Sequence, residues 1–198
     1  MEETDRLIHI LQKNELLMHV FDRMEHVEIG AYYIGAGCIA QTVWNELTHR
    51  PFMYGIDDID IVYFNKNDLS YEAEDEVIRY IKEMFSNLPV KLDIKNQARV
   101  HLWYPDKFAI DIKAFETLEQ AIDNWPSTAT AFGVRKERTG SWKIYAPFGF
   151  DDLFHLTVRA NKKLITKEIY MNKALKWQAK WPELILLEWE RGIDYVPR

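Results

Sequence analysis

An α/β chain of the α+β type is expected, with a mixed β-sheet flanked by helices and more helices towards the C-terminus. Two patterns predict this. Stretches of helical and of alternating apolar periodicity follow one another as strand, helix, strand, helix, strand, and the later strand-like stretches are spaced as hairpins, which favours a mixed over an all-parallel sheet. A third observation sets the scale. The 198 residues are 47% apolar and include 27 aromatics, seven of them Trp, enough to bury a core without staples. Cys38 is the single cysteine, so no internal disulfide can form. The apolar runs fall short of the roughly 18 residues that a membrane span needs. The start, MEETDRLIHI, is acidic where a secretory signal is basic, so a cytoplasmic protein with no membrane partner is expected. Residues 1–125 read as a core, and residues 126–198 as a hairpin and helical extension packed on it as one compact unit.

The elements follow in order. Thr4 can cap a first helix through about Met24, because Leu7, Leu11, Leu17, Phe21 and Met24 recur at helical spacing. AYYI (31–34) is a short strand running into the glycine-rich IGAG (34–37). Cys38 to Leu47 reads as a helix with Ile39, Val43 and Leu47 on one face, and Pro51 and Gly55 prevent its continuation. IDDIDIVYF (56–64) is β-branched and alternating, hence a strand. Ser70 can cap an acidic amphipathic helix whose Val77, Ile81 and Phe85 face the core, closed by Asn87 and Pro89. Further strands are expected at 90–96, 98–104 and 108–115, with Pro105-Asp106 as a turn between the last two. A hairpin at 132–146 turns at Thr139-Gly140. A short helix near 150–154 precedes a longer one through about Lys167–Lys180, stopped by Pro182.

Charge is uneven along the chain. The formal total is −6, but residues 1–155 carry −10 and residues 156–198 carry +4, with seven basic residues and one acid, Glu168, between 156 and 180. A solvated basic helix face explains the cluster; so does a landing strip for phosphates. The overall acidity speaks against dedicated DNA binding.

The chemistry centres on Asp58-Ile59-Asp60-Ile61. Period-two geometry puts both carboxylates on one face, their Cβ atoms about 6–7 Å apart. Two bare carboxylates repel and attract a cation, and a hard ion such as Mg²⁺ keeps waters free for a substrate's phosphates. An amphipathic strand with a solvated polar face presents the same pattern, so the neighbours decide. The turn before the 38–47 helix offers backbone N–H groups to phosphate oxygens. The 48–57 loop returns the chain towards that turn. In Val90-Lys91-Leu92-Asp93-Ile94-Lys95 the alternation sets Asp93 beside Lys91 and Lys95, so pairing next to 58–62 completes three carboxylates. Asp111, in Ile110-Asp111-Ile112-Lys113, is the rival for the third place. Lys91, Lys95, Arg99 and Arg135 could meet triphosphate or be solvated strand charges. Cys38 reads as a small buried residue, Trp103, Trp142 and Trp177 as core, Asp151-Asp152 as a helix start, and no His pair has metal-ligand spacing.

IGAGCIA, a helix, DDIDIVYF and a later strand aspartate together resemble the polymerase-β nucleotidyltransferase superfamily. The nearer likeness, over almost the whole chain, is to a family of small, largely uncharacterised bacterial nucleotidyltransferase-like proteins, through GAGCIAQTVWN (35–45), DDIDIVYF (57–64), KNQARVHLWY (95–104), TATAFGVR (128–135) and YAPFGFDDLF (145–154). The resemblance implies a polymerase-β-type core and a two-metal nucleotidyl transfer from a nucleoside triphosphate (NTP), using Mg²⁺ or Mn²⁺. Asp58 and Asp60 match the acidic pair, Asp93 the third carboxylate, and Gly35, Ala36, Gly37 and Cys38 the phosphate turn, with Lys95 beside the nucleotide. Cys38 stands where many members carry serine, which removes a hydroxyl contact. The interval from Gly37 to Asp58 is 21 positions, similar to the tRNA-end-adding branch, but Ala40 and Gln41 replace that branch's Arg-Asp pair, so tRNA tailing is not implied. Two functions are expected to compete: transfer of a nucleoside monophosphate to a hydroxyl of a small molecule, protein or RNA, and a non-catalytic nucleotide-binding or protein-interaction module on the same fold.

Overall fold

The computed structural model describes residues 2–193. Five strands, β1 (Ala31–Gly35), β2 (Asp58–Phe64), β3 (Lys91–Asn96), β4 (Gly133–Lys136) and β5 (Trp142–Tyr145), form one sheet in the order β3-β2-β1-β4-β5. Strands β2 and β3 run parallel, while the β1–β2, β1–β4 and β4–β5 pairs are antiparallel, giving the expected mixed sheet. A parallel pair needs a crossover, here α4 (Tyr71–Met84), whose first turn is capped by Ser70 accepting a hydrogen bond from the Ala73 N–H. The 132–146 hairpin forms as β4 and β5 and joins the edge of β1, so the C-terminal stretch contributes two strands to the same sheet.

The alternation in β2 sorts the two sides of the sheet. Ile59, Ile61 and Tyr63 join Ile34, Leu92, Ile94 and Val134 in the main core, under α1 (Glu3–Leu11), α2 (Glu15–Met24), α3 (Gly37–Leu47) and α4. On the opposite side Tyr33 and Val62 pack beneath Leu118 and Ile122 of a short helix, α6 (Leu118–Ile122). That cover leaves the β2 residues before Val62 without an apolar roof. The remaining helices are α5 (Val100–Phe108), the single turn α7 (Asp151–Phe154) and α8 (Lys167–Lys180); β6 (Thr157–Val158) pairs with β7 (Ile185–Leu186). Among the described residues no helix is long and apolar enough to cross a membrane.

Three expectations are corrected. The single first helix is two, because buried Asn14 restarts the chain: its Oδ1 accepts from the Leu17 N–H while its Nδ2 donates to Thr42 Oγ1 at 3.0 Å. Thr4 lies inside α1 and does not cap it. Residues 98–104 are not a strand but a 3-10 turn leading into α5, with Pro105 inside the helix instead of at a turn. The buried Asn96 side chain bends the chain there, accepting from the Asn65 and Ala98 N–H groups and donating to the Asn65 carbonyl. Residues 109–115 form no regular element; Ala109, left-handed at φ 54°, ends α5.

The C-terminal helix is fastened to the loop before β2. Trp181 is fully buried, stacks edge-on with Trp44 at 5.5 Å and donates from Nε1 to Asn45 Oδ1 at 2.8 Å. Asn45 in turn donates to the Phe52 and Tyr54 carbonyls. Gly55, at φ +70°, lies so close that a Cβ would fall 2.6 Å from the Trp181 ring. Lys180 completes the clasp by bonding the Gly55 carbonyl and Asp57.

Candidate active site

Register builds the site. Gly35 pairs with Gly133 on one side and with Asp60 on the other, and Asp60 pairs with Asp93, so these four residues form one row across four strands. At about 4.8 Å per strand, Gly35 and Asp93 flank Asp60 closely. Residues in register share a face, and period two adds Asp58, so all three aspartates lie on the same face. Asp58 is exposed; Asp60 and Asp93 are half-buried.

The turn beside Asp60 is tightly constrained. A Cβ at position 35 would sit 2.5 Å from the Phe132 carbonyl oxygen, so only glycine fits there. Ala36 holds φ 55° and ψ −131°, a conformation that favours glycine and costs on the order of 1–3 kcal/mol in an alanine. Its N–H donates to the same Phe132 oxygen at 3.4 Å. This kink starts α3 directly beside Asp60, and no side chain caps the helix, leaving the positive end of its dipole uncompensated by a cap. Gly37 opens the first turn. Cys38 is buried, its thiol donating to the Gly35 carbonyl at 3.1 Å and held in its neutral form first by burial and then by the Asp60 charge.

The electrostatics follow from this crowding. The Asp60 carboxyl is pushed up to about 7, chiefly by desolvation and then by the charges of Asp58 and Asp93, while Lys173 and Lys95 partly offset the rise. Asp93 is ion-paired with Lys95. Lys173, from α8, is exposed as a residue, yet crowding around its amine lowers its pKa, with Asp60 and Asp58 pulling the other way. Two lysines therefore supply positive charge to three carboxylates. Among the described residues no three His, Cys, Asp or Glu side chains are gathered into a group that could by itself hold a metal ion. The donors are nonetheless hard oxygens under mutual repulsion. Such a set fits a divalent ion completed by water and substrate phosphates better than one caged by protein alone.

Asp111 lies exposed in the irregular stretch after α5, and the charges acting on Asp60 come from Asp58, Asp93, Lys173 and Lys95. Arg99 is committed to Glu74 and the Leu69 carbonyl, Arg135 to Glu137 and the face of Tyr32, and Lys91 stands exposed on the edge strand. Sequence reasoning missed Lys173, Lys107 and the position of Trp103 beside Asp93. The basic cluster at 156–180 was the signal for the first; nothing local marked the other two, because they lie on one helix, Trp103 where a strand was expected and Lys107 beside the expected turn.

Comparisons with known proteins agree with this architecture. A family model described as Nucleotidyltransferase matches residues 22–186. No curated protein matches. Among solved structures, the chain is similar to one described as revealing a CCA-adding enzyme head domain, with a TM-score of 0.74 and 23% identity over 90% of this chain and 94% of that one. At that identity the likeness speaks for the fold. The family match spans the elbow, all three aspartates and most of α8's surroundings, and on it the chain belongs to the nucleotidyltransferase family.

Proposed function

We propose that the protein transfers a nucleoside monophosphate from an NTP to a hydroxyl acceptor in a divalent-metal-dependent reaction. The observation that carries this is the cross-strand row in which Asp60 stands between the glycine elbow and Asp93, with its carboxyl raised by burial and then by its two acidic neighbours. The α3 N-terminus and the Gly35–Gly37 backbone receive the phosphates. Asp58 and Asp60 are the residues that would hold Mg²⁺ or Mn²⁺ against them, and that ion, when bound, supplies positive charge to the leaving pyrophosphate. The acceptor oxygen forms a bond to the α-phosphorus as the bond to the β-phosphate's bridging oxygen breaks. Pyrophosphate leaves with that electron pair. Asp93, freed from Lys95, takes the proton of the attacking hydroxyl and returns it to solvent. Lys95 moves from the Asp93 carboxylate to a phosphate oxygen, and Lys173 adds positive charge nearby, which keeps the cleft's charge balanced.

Thermal melts with an NTP and Mg²⁺, each alone and together, test this reading. A rise in Tm with the pair well beyond the sum of the two alone is expected, along with pyrophosphate release that Asp60→Ala abolishes. Equal shifts with and without metal would overturn it. One observation favours the alternative of a non-catalytic nucleotide-binding module: the carboxylates are already served by lysine amines and form no ready-made metal group. Tight metal-independent nucleotide binding with no pyrophosphate release across acceptors would select that reading.

A further inference from the structure

The row Gly35–Asp60–Asp93 has a direction. The elbow lies on the β1 side of Asp60, and beyond Asp93 there is no further strand, because β3 is the edge of the sheet. If phosphates sit at the elbow, the acceptor must approach from the β3 edge. A pocket of about 350 Å³ opens there, lined by Asp93, Lys95, Trp103, Lys107, Glu74 and Ile78. Its charges are unequal in a telling way. Asp93 is paired with Lys95, and Glu74 is neutralised by Arg99. Lys107 has no carboxylate partner among the described residues; its amine lies 5.6 Å from the Trp103 ring and 5.3 Å from Phe108. Lys173 likewise makes no ion pair with a carboxylate among the described residues, lies over Trp177 at 5.3 Å, and is close enough to Lys95 and Lys107 to feel their repulsion. Two ammonium groups, those of Lys95 and Lys107, thus line a pocket whose own acids are already matched, and Lys173 adds its positive charge nearby. Like charges held together in this way favour an anion between them.

We propose that this edge pocket is the acceptor subsite, and that the acceptor carries a phosphate group close to the hydroxyl that is modified. The inference rests on the transfer reading above. The phosphate pairs with Lys107, the lining amine that no carboxylate among the described residues serves, while the hydroxyl rests on Asp93. A neutral protein side chain, such as a tyrosine or serine hydroxyl, leaves Lys107 unmatched. A phosphorylated small molecule and the phosphodiester next to an RNA 3′ end share the chemistry that the pocket reads.

The test uses the full chain with its elbow filled by an α,β-methylene ATP and Mg²⁺, and titrates in adenosine 5′-monophosphate, adenosine, a short single-stranded RNA and a peptide containing Ser and Tyr. Phosphate-dependent binding is expected. It should weaken about ten-fold in Lys107→Gln, recover in Lys107→Arg, and leave the NTP–Mg²⁺ melt of each variant unchanged. RNA binding much more tightly than the monophosphate, with a steep salt dependence, identifies a polymer end; comparable affinities identify a small molecule. Equal binding of adenosine and its monophosphate, indifference to Lys107→Gln, or, in a parallel reaction in which α-labelled ATP and Mg²⁺ replace the analogue, labelled transfer onto the peptide overturns the proposal. The titration is also run without the ATP analogue. Loss of the NTP–Mg²⁺ response alone sinks the function reading, while the pocket is still decided by the phosphate probes.

Discussion

Ile59 and Ile61 on one side of β2 are fully buried in the main core, whereas Asp58 and Asp60, one residue along in each case, face a partly open cleft where like charges crowd together. The same seven-residue strand thus holds the sheet together through one face and stores electrostatic tension on the other. Stability and chemistry are separated by a rotation of half a period, so substitutions on the two faces should fail in different assays.

The sharpest way to break this contrast is to exchange the failures. Asp60→Asn should lower transfer by about 10²- to 10³-fold while the metal-free melting temperature holds or rises, because a strained negative charge is removed. Ile61→Ala should do the reverse, costing about 2–5 kcal/mol in denaturant unfolding while the remaining folded protein still responds to NTP and Mg²⁺. Gly35→Ala tests where the faces meet. The added Cβ confronts the Phe132 carbonyl, so a loss of about 1–3 kcal/mol together with loss of the nucleotide response is expected; an unchanged nucleotide response would separate the elbow from the site.

A smaller effect comes from pH. Asp60 is raised from the ordinary carboxylate range to about 7, so its proton stabilises the fold fully below about pH 4, and that contribution is lost as pH rises through 7. Metal-free melts should therefore decline between these limits, more gently in Asp60→Asn, and a flat profile in the parent chain would contradict the crowding. The smallest effect is expected for Lys180→Met, which opens the ion pair to the exposed Asp57. Unfolding should change by less than about 1 kcal/mol, since Trp181 still holds α8 in place.

Much of the site was legible because its parts are local. Alternation fixed the face of Asp58 and Asp60, Ser70 marked the crossover helix, and the strand-helix-strand order brought Asp93 into register with Asp60. What was not legible depends on contacts between distant residues. Val100, Leu102 and Tyr104 alternate as a strand would, but Asn96 clasps Asn65 and turns the chain into a helix before that pattern can pair. The 108–115 stretch alternates too, yet no strand edge receives it. Trp103 and Lys107 reach the pocket only because that helix forms. Lys173 comes near Asp60 on a helix that long-range contacts, the Trp181–Asn45 clasp and the packing of Trp177 on Trp44, hold in place, and no window of sequence contains them.

The place of α8 in the chain implies an order of events at the ribosome. All three aspartates emerge well before the α8 lysine that moderates them, so a nascent chain can pair its strands while the acidic row still lacks that counter-charge. The last α-helix among the described residues is the one that settles the cleft, and a stop codon placed ahead of it would yield a sheet whose acidic side is left to solvent ions.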